Sequence, residues 1–236
     1  MSLDVPREDV ADFAALGVIA FTTTRQAGTF GTAGRDPVGE VMGRWWSLVE
    51  SLRAYAPRLA TSRQVHGNLV LVHRLTWDGW LRTDAADGHV APERGTALAI
   101  TVADCVPVFI AHPGGACALL HAGWRGTAAR ILERGVTELL RSGLDARDLR
   151  VHLGPSICGR CYEVGPDVYQ QLVGQSISAP ACVDLRAILA QQARDAGLTH
   201  ISISGRCTRC DNDRFFSHRA GDAGRMLAVM AAPAAR

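Results

Sequence analysis

Three short apolar segments follow one another near the middle of this chain: Thr96 to Val102, Val106 to Ala111 and Ala116 to Leu120. Each has the length of a strand, and none alternates polar with apolar residues. Strands of this kind are buried on both faces and need covering layers above and below. A chain of 236 residues is long enough to supply them. Further short strands are expected at Gly17 to Thr23, Leu69 to His73, Leu149 to Leu153 and His200 to Ser204. Val38 to Ala54 carries Val38, Val41, Met42, Trp45, Leu48, Val49 and Leu52 at helical spacing, so Trp45 belongs to the core. Helices are also expected at Thr127 to Leu140 and, capped by Asp184 and closed by Gly197, through Ala196. The fold class is α+β: a single layered domain over 1–236, with mixed β-sheets flanked by helices. The last residues, 231–236, are expected to fray.

Composition excludes several function classes. A net charge of +2 argues for neither nucleic acid nor membrane as partner. No apolar run spans a bilayer. The start, Met-Ser-Leu-Asp-Val-Pro-Arg-Glu-Asp, is not a secretory signal, so a cytoplasmic protein is expected. All 25 basic residues are arginine, the usual mark of a GC-rich genome. The chemical consequence is that any bound anion falls to arginine or to backbone amides. The seven cysteines, in a reducing compartment, are not expected to form a disulfide framework.

The residues that carry chemistry sit where strands should end. His66 follows Gln64-Val65 and precedes Gly67; taken alone it is a turn residue. Cys105 ends a buried strand, where a cysteine is most often a small hydrophobe. Its neighbour Asp104 needs a partner, and orienting a ligating histidine is one use for it. His121 closes an apolar strand and opens Ala122-Gly123-Trp124-Arg125-Gly126, a glycine-bracketed turn before a helix. Such a turn suits an anion, with the amides of Gly123 and Gly126 and the guanidinium of Arg125 as donors; it also suits an ordinary tight connection. Two imidazoles and one thiolate are zinc ligands that leave a tetrahedral position open, the mark of a catalytic metal.

Two Cys-x-x-Cys pairs, Cys158/Cys161 and Cys207/Cys210, are separated by an interval long for a zinc ribbon, and reduced thiols are expected there. Asp211-Asn212-Asp213 is a polar loop without the rest of a calcium-binding pattern. Phe215-Phe216-Ser217-His218-Arg219 is either core packing or the wall of a ring pocket. Asp87-Gly88 is a turn signal.

Together these segments, with Gly154-Pro155-Ser156-Ile157, Cys161-Tyr162-Glu163-Val164 and Cys207-Thr208-Arg209-Cys210, resemble the YfiH family, also called the laccase-domain or multicopper polyphenol oxidase family. The resemblance runs from Thr22 to Met226. It implies a layered α+β fold, distantly related to toxin deamidases, and one zinc held by His66, Cys105 and His121. It implies a purine nucleoside phosphorylase with added adenosine deaminase activity, acting on a nucleoside and phosphate as a monomer or homodimer. Asp104, Cys105 and Arg125 become the candidate catalytic residues. Arg125, Gly123, Gly126, Phe216 and Arg219 become the candidate substrate and phosphate contacts. One departure stands out: the family's Ser-Leu-Asn-Leu-Gly segment is missing, and Phe30 to Pro37 runs straight into the helix.

Four rival readings remain. A metal-independent hydrolase would use Cys105 as nucleophile and His121 as base. A role in editing peptidoglycan precursors has been proposed within the family. A copper oxidase of phenols needs many histidines, commonly in His-x-His pairs; this chain has eight histidines and no such pair, so copper is not expected. The missing segment also leaves room for an inactive binding protein.

Overall fold

A computed structural model describes residues 3–234. Two six-stranded mixed sheets stack face to face. The first runs, edge to edge, Arg7–Asp9, Ile19–Thr23, Met226–Ala231, Thr96–Val102, Arg58–Ser62, Gly79–Thr83. The second runs His200–Ile203, Arg150–Leu153, Val106–Ala111, Cys117–Ala122, Gly88–Ala91, Val70–Val72. The apolar strands read from the sequence lie inside these sheets, and every residue of Val106–Ala111 and Cys117–Ala122 is buried.

Strand alternation divides the apolar side chains into layers. Leu98, Ile100, Met226 and Ala228 meet Phe109, Cys117 and Leu119 between the sheets. Ala97, Ala99 and Val229 point outward and are covered by Trp45, Leu48, Val49 and Leu52 of the helix Val38–Arg53. Val108, Ile110, Ala118 and Leu120 point to the other outside, under helices Ile131–Leu140 and Leu185–Asp195. Asp184 caps the latter, accepting from the amides of Arg186 and Ala187.

Three expectations change. The helix expected over 127–140 is two, Trp124–Ala128 and Ile131–Leu140. Arg130 breaks it with φ 58°, a left-handed turn that redirects the chain. Strands Arg58–Ser62, Gly79–Thr83, Gly88–Ala91 and Met226–Ala231 lack a clear sequence signal. Met226–Ala231 is nonetheless central, and its last residue, Ala231, is fully buried, as is Ala232 beside it. The chain is therefore packed where fraying was expected to begin; residues 235–236 lie outside the described part. No described helix is long and apolar enough to cross a membrane.

Candidate active site

The turn Ala103 to Cys105 joins two central strands, Thr96–Val102 and Val106–Ala111, one in each sheet. His121 lies on the strand beside it, opposite Pro107. His66 comes in on the loop after Arg58–Ser62. The three are brought together: their ligating atoms lie within 4.8 Å of one another. The imidazole rings of His66 and His121 meet edge to face with centroids 4.8 Å apart.

This loop is wound around one carboxylate that the sequence reading took for a turn signal. Asp87 is fully buried. It accepts from the amides of Val65 at 3.1 Å, His66 at 2.9 Å and Gly67 at 2.7 Å. It also holds Nδ1 of His121 at 2.8 Å. These bonds keep His66 at φ 61°, a left-handed conformation that is strained for a residue with a side chain. They also fix the His121 tautomer, leaving Nε2 toward Cys105. Gln64 anchors the loop: its side-chain amide exchanges hydrogen bonds with the backbone of Thr101, continuing the pairing of Arg58–Ser62 with Thr96–Val102 beyond Leu98.

Asp104 therefore does not orient a histidine. Its carboxylate accepts from Thr208 Oγ1 at 2.6 Å and from the amide of Arg219 at 2.7 Å. That pairing answers the buried charge and ties the 208–219 segment to the strand turn. Asp104 itself sits at φ 79°.

The electrostatics follow from the triad. Burial pushes the Cys105 thiol up, but the adjacent His121 charge and hydrogen bonds from both histidines outweigh it and bring the thiol down to about 6. Burial pulls His121 down, yet the Cys105 thiolate and Asp87 raise it to about 9. Burial works against the Asp87 carboxylate too, and His121 with the loop amides still hold it below the usual carboxylate range. Each partner thus pulls the other toward its charged form, Cys105 toward thiolate and His121 toward imidazolium. Soft sulfur, two imidazoles and a buried carboxylate behind one of them are a donor set that fits zinc.

The triad lies in a cleft of about 430 Å³. Trp124, Ile157 and Tyr162 give it apolar walls, and Arg125, Arg219 and Arg225 give it charge. Among the described residues no carboxylate side chain pairs with any of these arginines. Arg125 lies over the Trp124 ring at 4.4 Å, and Arg219 over Tyr162 at 5.1 Å.

Two expected contacts do not lie there. Phe215 is fully buried core. Phe216 sits outside the cleft, under the Arg25 guanidinium at 4.4 Å. Tyr162 and Trp124 supply the aromatic surface instead. The glycines serve close packing. A Cβ at Gly123 would fall 3.0 Å from Cys105 Sγ, and one at Gly126 would fall 3.0 Å from the carbonyl oxygen of Gly67. The helix that Gly123 opens and Gly126 belongs to has five residues, so its dipole gives an anion less support than the longer helix expected. The segment from Phe30 to Gly34 lines a neighbouring cavity of about 260 Å³, which shares Gln64, Thr101 and Arg225 with the cleft.

With this geometry in place, comparison with known proteins is informative. Residues 21–233 match the family described as Multi-copper polyphenol oxidoreductase laccase. The chain belongs to this family. A Deinococcus radiodurans protein named purine nucleoside phosphorylase is 36% identical over 213 residues, covering 84% of this chain and 78% of that one. A Mycobacterium tuberculosis protein of the same name is 33% identical over 227 residues, covering 89% and 90%. The fold matches the crystal structure of Bacillus licheniformis YfiH with a TM-score of 0.87 at 24% identity, covering 98% of each chain. It also matches Geobacillus stearothermophilus YlmD at 0.82 and 30% identity, covering 91% and 92%.

Proposed function

We propose that this chain is a zinc-dependent purine nucleoside phosphorylase, cleaving a nucleoside with phosphate to free base and ribose 1-phosphate. The observation that carries the reading is one cleft holding a soft, open ligand triad beside arginines with no carboxylate partner. The names of its relatives support it. In the reaction a phosphate oxygen bonds to C1′ while the bond from C1′ to the purine nitrogen breaks, and that nitrogen keeps the electron pair and takes a proton. Arg125 and Arg219 hold phosphate and orient it. Tyr162 is a phenol at neutral pH, as any tyrosine is, and burial and the Cys105 charge push it further up, to about 12. It thus offers the purine a hydrogen-bond donor as well as a ring face. Asp104 positions Arg219 through its amide. His66, Cys105 and His121 would hold the zinc, which supplies Lewis acidity.

With water adding at C6 of the purine and ammonia leaving, the same cleft extends the reading to adenosine deamination. Seven free cysteines suit a reducing cytoplasm. The test is chromatography of adenosine, inosine and guanosine with and without phosphate, using Cys105→Ala as the blank. Phosphate-dependent base release absent from the blank is expected. Equal release in both rejects the reading. One rival has a geometry of its own: Cys105 beside His121 is the pair a cysteine hydrolase needs. Turnover in fully metal-free protein would favour it.

A further inference from the structure

The structure brings the two Cys-x-x-Cys pairs together. Sequence distance argued against their meeting, but the topology removes that distance. Strands Arg150–Leu153 and His200–Ile203 are parallel neighbours, with Leu153 beside Ile203. Both segments therefore leave the sheet at the same end and in the same direction. They continue side by side through a parallel bridge between Ser156 and Cys207, where the Thr208 amide donates to the Ser156 carbonyl at 3.1 Å. Cys158 and Cys207 arrive together, and each pair's second cysteine follows one turn later. All four sulfurs lie within 4.8 Å of one another, with Cys161 and Cys210 at 3.5 Å.

We propose that Cys158, Cys161, Cys207 and Cys210 form a second, closed zinc site with a structural role. A tetrahedral zinc with bonds of about 2.3 Å sets its sulfurs about 3.8 Å apart, close to the spacing here. A disulfide would need about 2.05 Å. The backbone is arranged for sulfur anions: the amides of Cys158 and Cys210 both donate to Cys207 Sγ, at 3.2 and 3.4 Å. Four thiolates around a divalent ion leave two negative charges, and Arg160, Arg206 and Arg209 lie on these same loops. Arg209 also donates to the Cys161 carbonyl at 3.2 Å. Four sulfurs leave no open position, so this metal takes no substrate.

Its use is positional. Cys158 and Cys161 are each followed or preceded by a wall of the candidate active site, Ile157 on one side and Tyr162 on the other. Thr208, next to Cys207, holds Asp104. Without a metal these two loops are joined by the Thr208–Ser156 backbone bond, the Arg209 side chain and the contact of the Cys158 amide with Cys207 Sγ; with it they become one rigid wall of the cleft.

The test is metal analysis of the full chain purified without chelator, and it does not depend on phosphorolysis. Wild type should carry about two zinc ions. Cys105→Ala should keep about one, and Cys161→Ser/Cys210→Ser should also keep about one. Cys182→Ser is the control: that exposed thiol lies outside the four and should leave the count unchanged. If the double variant fails to fold, cobalt-loaded Cys105→Ala decides, since four thiolates give an intense sulfur-to-cobalt charge-transfer band. Folded Cys105→Ala that binds no metal or lacks that band overturns the proposal. So does a Cys161–Cys210 disulfide in the wild type.

Discussion

Cys105 and Cys117 belong to the same pair of neighbouring strands, one just before Val106–Ala111 and the other at the start of Cys117–Ala122, yet they are chemically opposite. Burial raises the Cys117 thiol to about 12, with only weak opposition from Arg94 and a backbone amide. Cys105 falls to about 6 because two imidazoles face it. Cys117 packs with Phe109 and Leu119 between the sheets and serves as a small hydrophobe. Burial by itself makes a cysteine inert. What makes one a ligand is a charged partner held in place, and here Asp87 holds it.

The largest expected effect is at the ligand. Cys105→Ala should lower phosphorolysis on the order of 10³-fold, the several kcal/mol a Lewis acid supplies. Cys117→Ala should leave turnover intact and cost about 1–3 kcal/mol of stability instead. Steady-state kinetics and denaturant melts of the two variants separate these outcomes. Next is Asp87→Asn, which should weaken zinc binding at this site about 10–100-fold without touching the metal. Competition with a chelator indicator measures it, and unchanged affinity would mean that the His66 loop keeps its shape without the carboxylate.

The pH behaviour sharpens the contrast. In metal-free protein Cys105 should alkylate with an apparent midpoint near 6 and Cys117 should not react. The stabilising contribution of Cys105 is complete above its unfolded value and is lost as pH falls through about 6. That of His121 is complete below its unfolded value and is lost as pH rises through about 9. Between about 6 and 9 the rise of the first offsets the fall of the second, so the metal-free fold should change little in stability across that window, which urea melts across pH can map. Cys105→Ala removes the rising half, and stability should then fall as pH rises. The smallest effect expected is at the rim: Arg125→Lys keeps the charge but loses the fork, raising the phosphate KM about tenfold with little change in kcat.

Much of this was legible in the sequence. The three apolar strands, the helix bearing Trp45 and the Asp184 cap follow from periodicity and capping, which are local signals. The ligand set His66, Cys105 and His121 follows from the family resemblance rather than from spacing; in the fold His66 stands on a loop and His121 within a strand. Asp87 could not be read, because its partners, the amides of Val65 to Gly67, are defined only by the fold. An acid enclosed by Ala86, Gly88 and Val90 was the available hint. The four-cysteine cluster was missed for the same reason: its spacing is set by two parallel strands, not by the intervening chain. Phe216 failed in the other direction, since an aromatic near a motif need not face the cleft.

The central claim is that His66, Cys105 and His121 hold a metal on which phosphorolysis depends. The most direct measurement is to strip the protein with chelator, add zinc back stepwise, and follow inosine phosphorolysis and Cys105 alkylation in the same samples. The account predicts that stripped protein is inactive with Cys105 open to alkylation, and that zinc restores turnover as it closes Cys105. Full turnover in stripped protein, with Cys105 still freely alkylated, would contradict it.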